Sequence, residues 1–240
     1  MFEISFIPAF KDNYIWLLTR GKRAFVVDPG DASPVIARLE ADDLTLEGIL
    51  ITHHHADHQG GVAELKARWP VDVHAPANES ITGCTRPLSG GEQIDVLGQT
   101  VAVMAVPGHP LGHLAYLAPG ALFCGDTLFG AGCGRNFEGT PAQLHHSLQR
   151  LAQLPGDTRV FVCHDYGPGG RDVAFETTIT AQRQSNIHIR EDTREADYVA
   201  LRAARDATLA MPALLLPAVQ VNIRAGALPD PEGNGVRYLK

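Results

Sequence analysis

Several things are scarce in this sequence, and each scarcity excludes something. Cysteine is rare: Cys84, Cys124, Cys133 and Cys163 are the four, and no two of them form a C-x-x-C pair. A disulfide framework is therefore not indicated, and the four read as small buried hydrophobes in a reduced, cytoplasmic setting. No stretch approaches the roughly 18 to 20 uninterrupted apolar residues that a membrane-spanning helix needs. The start, Met1-Phe2-Glu3-Ile4-Ser5, carries an acidic residue and no basic n-region, so it does not read as a secretion signal. Basic residues are outnumbered, with a net charge of -7 and no basic stripe, which argues against a nucleic-acid partner. No internal repeat is legible.

What remains is an ordinary globular composition, 45% apolar and 20% charged over 240 residues. It suits one large domain, or a main domain with a small appendage. The chain is organised around Thr52-His53-His54-His55-Ala56-Asp57-His58. The short aliphatic run Gly48-Ile49-Leu50-Ile51 before it reads as a buried strand. Gly60-Gly61 reads as a turn after it, and Val62, Leu65 and Trp69 as the inner face of a helix. Four histidines and one aspartate within six residues are costly to bury without a common partner. A divalent metal is that partner. The H-x-H-x-D-H spacing can aim two nitrogens at one ion and a carboxylate plus a nitrogen at another, a donor set suited to zinc or iron.

Along the rest of the chain, strands recur that end in metal-ligand residue types. Glu3 to Ile7, Tyr14 to Thr19 and Ala24 to Val27 read as an opening antiparallel sheet. Asp28 follows, either as a turn cap or as a carboxylate orienting metal-bound histidines. Ser33-Pro34 starts a helix with Val35, Ile36 and Leu39 inward. Val71 to His74 alternates like a strand, and Gln93 to Leu97 pairs with Thr100 to Val106. A glycine-framed loop then offers two histidines, His109 and His113, between which spacing alone does not choose. Leu114 to Leu117 and Ala121 to Cys124 form a hairpin that delivers Asp126, a metal-reaching carboxylate or a turn cap. Thr140-Pro141-Ala142-Gln143 is a capping box for a helix carrying Leu144, Leu148 and Leu151, on which His145 and His146 read as surface residues. Arg159 to Cys163 is a last strand, delivering His164. Beyond it, helices are expected over 177–184 and 194–210.

The Thr52 to Gly61 stretch resembles the signature of the metallo-β-lactamase superfamily. Separated motifs narrow the resemblance: Phe6 to Trp16, Pro107 to His113, Cys124 to Phe129 and Gly132-Cys133-Gly134-Arg135-Asn136-Phe137-Glu138-Gly139-Thr140 are similar to glyoxalase II, the hydroxyacylglutathione hydrolase family. The likeness implies an α/β (α+β) fold, the four-layer αββα sandwich, over residues 1–166, with residues 167–240 as a short, partly helical appendage on the core. It also implies that His53, His55 and His109 hold one metal and Asp57, His58 and His164 a second, with Asp126 bridging. Asp57 and Asp126 would be the catalytic carboxylates, and Arg135, Phe137 and Tyr166 the contacts to glutathione. The tail lacks that family's Asn-Pro-Phe type motif. Glu176, Gln182-Arg183, Asn186, Pro217, Asn222, Arg224 and Gly226 resemble instead the end of the persulfide dioxygenases.

The expected activity is hydrolysis of a glutathione thioester of the S-lactoylglutathione type, by hydroxide bridging two divalent metals, with zinc as first choice and iron or manganese also accepted. One alternative is oxidation of glutathione persulfide at a single iron held by His53, His109 and Asp126. Another is a catalytically silent metal-binding module. The triple histidine and the Gly-Arg-Asn-Phe-Glu-Gly-Thr stretch favour the hydrolase. The implied partner is a small glutathione derivative, with neither nucleic acid nor membrane.

Overall fold

A computed structural model describes residues 1–166, 170 and 172–208, the last three by backbone alone. Pro217, Asn222, Arg224 and Gly226 lie outside these described residues. Two six-stranded mixed sheets face each other. In the first, β1 (Glu3–Ala9), β2 (Asn13–Arg20) and β3 (Arg23–Val27) run antiparallel, and β4 (Thr45–Leu50), β5 (Asp72–Pro76) and β6 (Arg86–Leu88) continue the sheet in parallel. The parallel steps need crossovers. Helix α1 (Ala32–Ala41) makes one, and the short α2 (Ala56–Gln59) with α3 (Val62–Arg68) makes the next.

The second sheet is built from β7 (Gln93–Val96), β8 (Gln99–Ala105), β9 (Leu114–Ala118), β10 (Ala121–Phe123), β11 (Arg159–Phe161) and β12 (Glu176–Thr178). Helix α4 (Pro141–Ala152) is the crossover between the parallel β10 and β11, and α5 (Ile179–Ser185) and α6 (Glu195–Thr208) flank it. The capping box on α4 is present as expected from its sequence, with Thr140 accepting from the Gln143 amide and Gln143 answering at the Thr140 amide.

Both faces of each sheet are covered, which is why strands such as β2 read as continuous apolar runs. Alternation sends Trp16 and Leu18 into the space between the sheets, where Phe25, Leu50, Tyr116, Phe123 and Phe161 meet them. Their neighbours Ile15 and Leu17 point the other way, onto Val35, Leu39, Val62 and Leu65 of α1 and α3. On the far side Leu144, Leu148 and Leu151 of α4 cover Val160 and Val162. The layers are therefore helix, sheet, sheet, helix, as the family resemblance implies.

Three local details go beyond the sequence reading. Gly60 and Gly61 do form the turn between α2 and α3, but with ordinary negative φ, -59° and -83°, so the turn by itself does not require glycine. A side chain at Gly60 would come within 2.6 Å of the Gly30 carbonyl, and one at Gly61 within 2.6 Å of the Ala32 nitrogen. These glycines let α2 sit directly on the loop after β3. Thr177 and Thr178 belong to β12, and the helix expected from 177 begins at Ile179, capped by the Thr178 hydroxyl. Two β-branched residues, paired with Val160 and Arg159, hold the extended form. Finally, His145 is buried: Nε2 lies 3.2 Å from the Thr193 carbonyl, and the ring faces Tyr198 at 5.3 Å. Helix α6 covers a face of α4 that local periodicity marks as solvent.

Beside α6, His188 is fully buried, and neither ring nitrogen has a hydrogen-bond partner. Burial, reinforced by Arg202 and Arg205, pushes its pKa down to about 4. The folded state thus refuses a proton that the unfolded chain accepts from its ordinary pKa near 6.5 downward. This contribution to stability is complete above pH 6.5 and is lost as pH falls toward 4. By pH 5 the loss amounts to about 2 kcal/mol. His188→Phe should therefore lose less melting temperature than wild type between pH 7 and pH 5; equal losses would show that His188 is not responsible.

Candidate metal centre

Five chain segments deliver side chains to one rim of the sandwich. The segment after β4 is extended, so alternation turns His53 and His55 to the same side. The first turns of α2 add Asp57 and His58, and the loop after β8 adds His109. A tight 3-10 turn after β10 (Gly125–Thr127) presents Asp126, and the end of β11 leads to His164. Gly108, with φ 145°, lets the His109 loop press against α4; a side chain there would meet the Leu144 backbone at 2.6 Å.

The seven groups sort into two donor sets. His55 Nδ1 lies 3.0 Å from both His53 Nε2 and His109 Nε2, and His109 Nε2 lies 3.3 Å from Asp126 Oδ2. In the other set His164 Nε2 lies 3.3 Å from His58 Nε2 and 3.4 Å from Asp57 Oδ2, and Asp57 Oδ2 is 3.5 Å from His58 Nε2. Asp126 Oδ1 stands 3.3 Å from His58 Nε2 and from His164 Nε2. The two oxygens of one carboxylate thus face different sets. Oδ1 is buried and takes no well-aligned hydrogen bond.

The outer nitrogens explain which lone pairs are free. His53 Nδ1 contacts Thr52 Oγ1 at 3.0 Å, His58 Nδ1 contacts Asp28 Oδ2 at 3.1 Å, and His109 Nδ1 contacts the Arg135 carbonyl at 2.6 Å. Each partner accepts a proton from Nδ1, which assigns the tautomer and leaves Nε2 as a lone pair aimed into the cluster. Converging lone pairs and carboxylate oxygens at these distances are suited to metal ions.

Electrostatics agree with a charged partner. Burial holds the pKa of His53 well below the ordinary value and that of His55 down at about 3, so both stay neutral. Burial also disfavours charge on His58 and His164, yet the carboxylates outweigh it: Asp126, Asp57 and Asp28 raise His58, and Asp126 with Asp57 pushes His164 up to about 10. Asp57 and Asp126 are in turn held well below the usual carboxylate range, against the pull of burial, mainly by His58 for Asp57 and by His164 and His58 for Asp126. The rim thus combines ionised carboxylates, two neutral imidazoles at His53 and His55, and two, His58 and His164, on which the carboxylates favour a positive charge that a bound cation would replace.

Asp28 orients ligand-type groups. It sits at φ 52°, where aspartate is tolerated. Its carboxylate accepts the Thr52 amide and hydroxyl, both at 2.7 Å, as well as His58 Nδ1. Of the two histidines in the 107–113 loop, His109 enters the cluster. His113 lies behind it, stacked on His53 at 4.7 Å and accepting the Asp126 amide at Nε2. Sequence reading did not pick out Asn13, whose Nδ2 donates to Asp57 Oδ2 at 3.0 Å, nor Thr52 or Cys163, which line Asp28, nor Glu79 beside His54. Asn13 lies inside the Phe6 to Trp16 motif, which carried no role for it.

The three expected substrate contacts ring the cluster at different depths. Phe137, 41% exposed, has its ring 5.5 Å from His55 and 5.3 Å from His109. Tyr166, 63% exposed, lies parallel to His164 at 6.0 Å. The Arg135 side chain is partly buried, and its carbonyl is the one bound by His109.

A family model described as the metallo-beta-lactamase superfamily matches residues 10–164. A hydroxyacylglutathione hydrolase from Dechloromonas aromatica (strain RCB) is 70% identical over 204 residues, which is 85% of this chain and 74% of that protein. An alignment of that length runs on past residue 166 into the tail. Among solved structures, ETHE1 from Myxococcus xanthus matches with a TM-score of 0.80 and 27% identity, covering 95% of this chain and all of that one. TTHA1623 in a di-iron-bound form matches with a TM-score of 0.62 and 27% identity, covering 75% of this chain and 96% of that one. The chain belongs to the metallo-beta-lactamase superfamily and, within it, to the hydroxyacylglutathione hydrolase family. Among the described residues no helix is long and apolar enough to cross a membrane.

Proposed function

We propose that this chain hydrolyses a glutathione thioester of the S-lactoylglutathione type, releasing glutathione and a 2-hydroxy acid. The observation that carries the reading is the division of Asp126, whose Oδ2 faces His53, His55 and His109 while Oδ1 faces His58 and His164. Two ions, one per set, would share that carboxylate; the likeness to a di-iron-bound protein supports the number. Zinc suits the nitrogen-rich donors best, with iron and manganese as the other candidates. Four free cysteines support a reducing, cytoplasmic setting.

When bound, such an ion pair supplies hydroxide at neutral pH and polarises a carbonyl. The chain's own residues do the rest. Asp57, kept ionised mainly by His58 and His164 and steadied at Oδ2 by the Asn13 amide, supplies the second set's own carboxylate. Phe137 walls the first donor set from bulk water, and Tyr166 flanks the second. Arg135 is suited to grip one of the two glutathione carboxylates through its planar fork. The departing thiol, with an ordinary pKa near 8.5, leaves as thiolate without a dedicated acid.

The test is metal content per chain on protein purified under nitrogen, with the same sample assayed for S-lactoylglutathione hydrolysis and for oxygen uptake with glutathione persulfide. Two metals with hydrolysis support the reading. One iron with oxygen uptake would replace it by the second reading, a dioxygenase at His53, His109 and Asp126, a two-histidine, one-carboxylate set contained in the first cluster. Metal binding with neither activity would favour a silent module. Arg135→Ala should weaken substrate binding by about 1.5 to 3 kcal/mol, seen mainly in KM. An unchanged KM would remove Arg135 from the substrate site.

A further inference from the structure

One histidine of the Thr52 to His58 loop belongs to neither donor set. Alternation turns His54 away from the cluster, and every polar group it has is engaged. Its amide donates to Glu79 Oε2 at 2.7 Å, and its Nδ1 meets the same oxygen at 3.0 Å. Its carbonyl accepts from the Gln59 side chain. Its Nε2 stands 3.3 Å from Glu138 Oε1. Glu79 is almost wholly buried, whereas the Glu138 side chain is 43% exposed.

These partners come from different parts of the rim. Glu79 follows β5, and Gly112 lies so close to it that a side chain there would come within 2.5 Å of Glu79 Cγ. Glu138 adjoins Phe137 in the segment that also carries Arg135, and its other oxygen accepts the Leu111 amide at 3.4 Å. The Phe137 amide donates to the His109 carbonyl. The imidazole thus joins its own loop to the Glu79 loop and the Glu138 segment, and the 107–113 loop touches both glutamates. The Glu79 side is built into the core, while the Glu138 side is the exposed, separable link.

We propose that His54 is a positioning residue that ties the metal-ligand loop to the segment bearing Arg135 and Phe137, and so sets the placement of the substrate contacts. The proposal rests on the hydrolase reading for its substrate. Loss of the link loosens the Phe137–Glu138 end of the segment while the Arg135 carbonyl stays on His109 Nδ1, so no group leaves either donor set. The cost should fall on substrate binding and leave the chemical step alone.

The experiment is a double-mutant cycle on metal-loaded full-length protein with S-lactoylglutathione, using Glu138→Ala, His54→Leu and the pair. Glu138→Ala should raise KM about fivefold, the scale of a partly exposed ion pair, with kcat and metal per chain unchanged. His54→Leu should raise KM at least as much, and the double variant no further. Unchanged KM in Glu138→Ala, or independent effects that multiply in the double variant, would overturn the proposal. So would a His54→Leu protein that loses metal and kcat together while keeping KM, because that is the mark of a purely structural role. If His54→Leu does not fold, Glu138→Ala and Glu138→Gln decide by KM alone.

If wild-type protein fails to hydrolyse the thioester, the hydrolase reading falls separately. The link is then read by amide hydrogen exchange over 135–139 in the metal-loaded proteins. Faster exchange in each single variant, and no faster in the pair, supports it; unchanged exchange sinks it.

Discussion

Asp126→Ala should lose bound metal and activity together, with turnover falling by about a thousandfold or more. Asp126 is buried and gives one oxygen to each donor set, so its removal breaks both at once. The loss has a second part. Asp126 is the largest favourable influence on the charge of His58 and of His164. Without it, the second set keeps Asp57 as its one carboxylate, and two ions would lose the anion that screens them from each other. Metal analysis after dialysis and an initial-rate assay are sufficient measurements. A variant that keeps both ions, or keeps its rate, would end the bridging assignment.

Asp28→Asn is the second large expectation, although Asp28 lies outside both principal donor sets. Asparagine is tolerated at the positive φ of this position, so the backbone stays as it is. The carboxylate, however, accepts from the Thr52 amide, the Thr52 hydroxyl and His58 Nδ1, with Cys163 Sγ 3.4 Å away. An amide has one acceptor and one donor end, so one of these buried donors must meet an NH2 group. If that donor is His58, its proton moves to Nε2 and the lone pair facing Asp126 disappears. Metal affinity should fall by about 10- to 100-fold, the usual cost of losing a group that orients a ligand. Melting temperature should fall as well, because a buried donor left without an acceptor costs about 1 to 3 kcal/mol. Unchanged metal affinity would reduce Asp28 to the turn cap that is its other sequence reading.

Some of this was written locally. Strands that end in His or Asp, at 53–58, 109, 126 and 164, are visible because a short aliphatic run followed by a polar loop is a local pattern. The capping box of α4 and the hairpin between β9 and β10 are local too, since they depend on residues within a few positions of one another. The family likeness could be read from motifs for the same reason.

Other features depend on what comes to rest against what. Gly60 and Gly61 look like turn glycines, but they are glycines because the loop around Gly30 lies on α2. His145 looks exposed on its own helix and is covered by Tyr198 of α6 and the Thr193 carbonyl just before it. His109 and His113 have equal claims by spacing. Only the cluster around Asp126 separates them, by taking one ring as a donor and stacking the other behind His53. His54 reads as one more histidine in a row of three, and its partners Glu79 and Glu138 lie far along the chain. The sequence by itself determined the residue types at each strand end and the family, because those follow from short-range order. The tertiary structure alone decided which oxygen of Asp126 faces which histidines and what holds each ring in place, because those contacts join residues of both sheets.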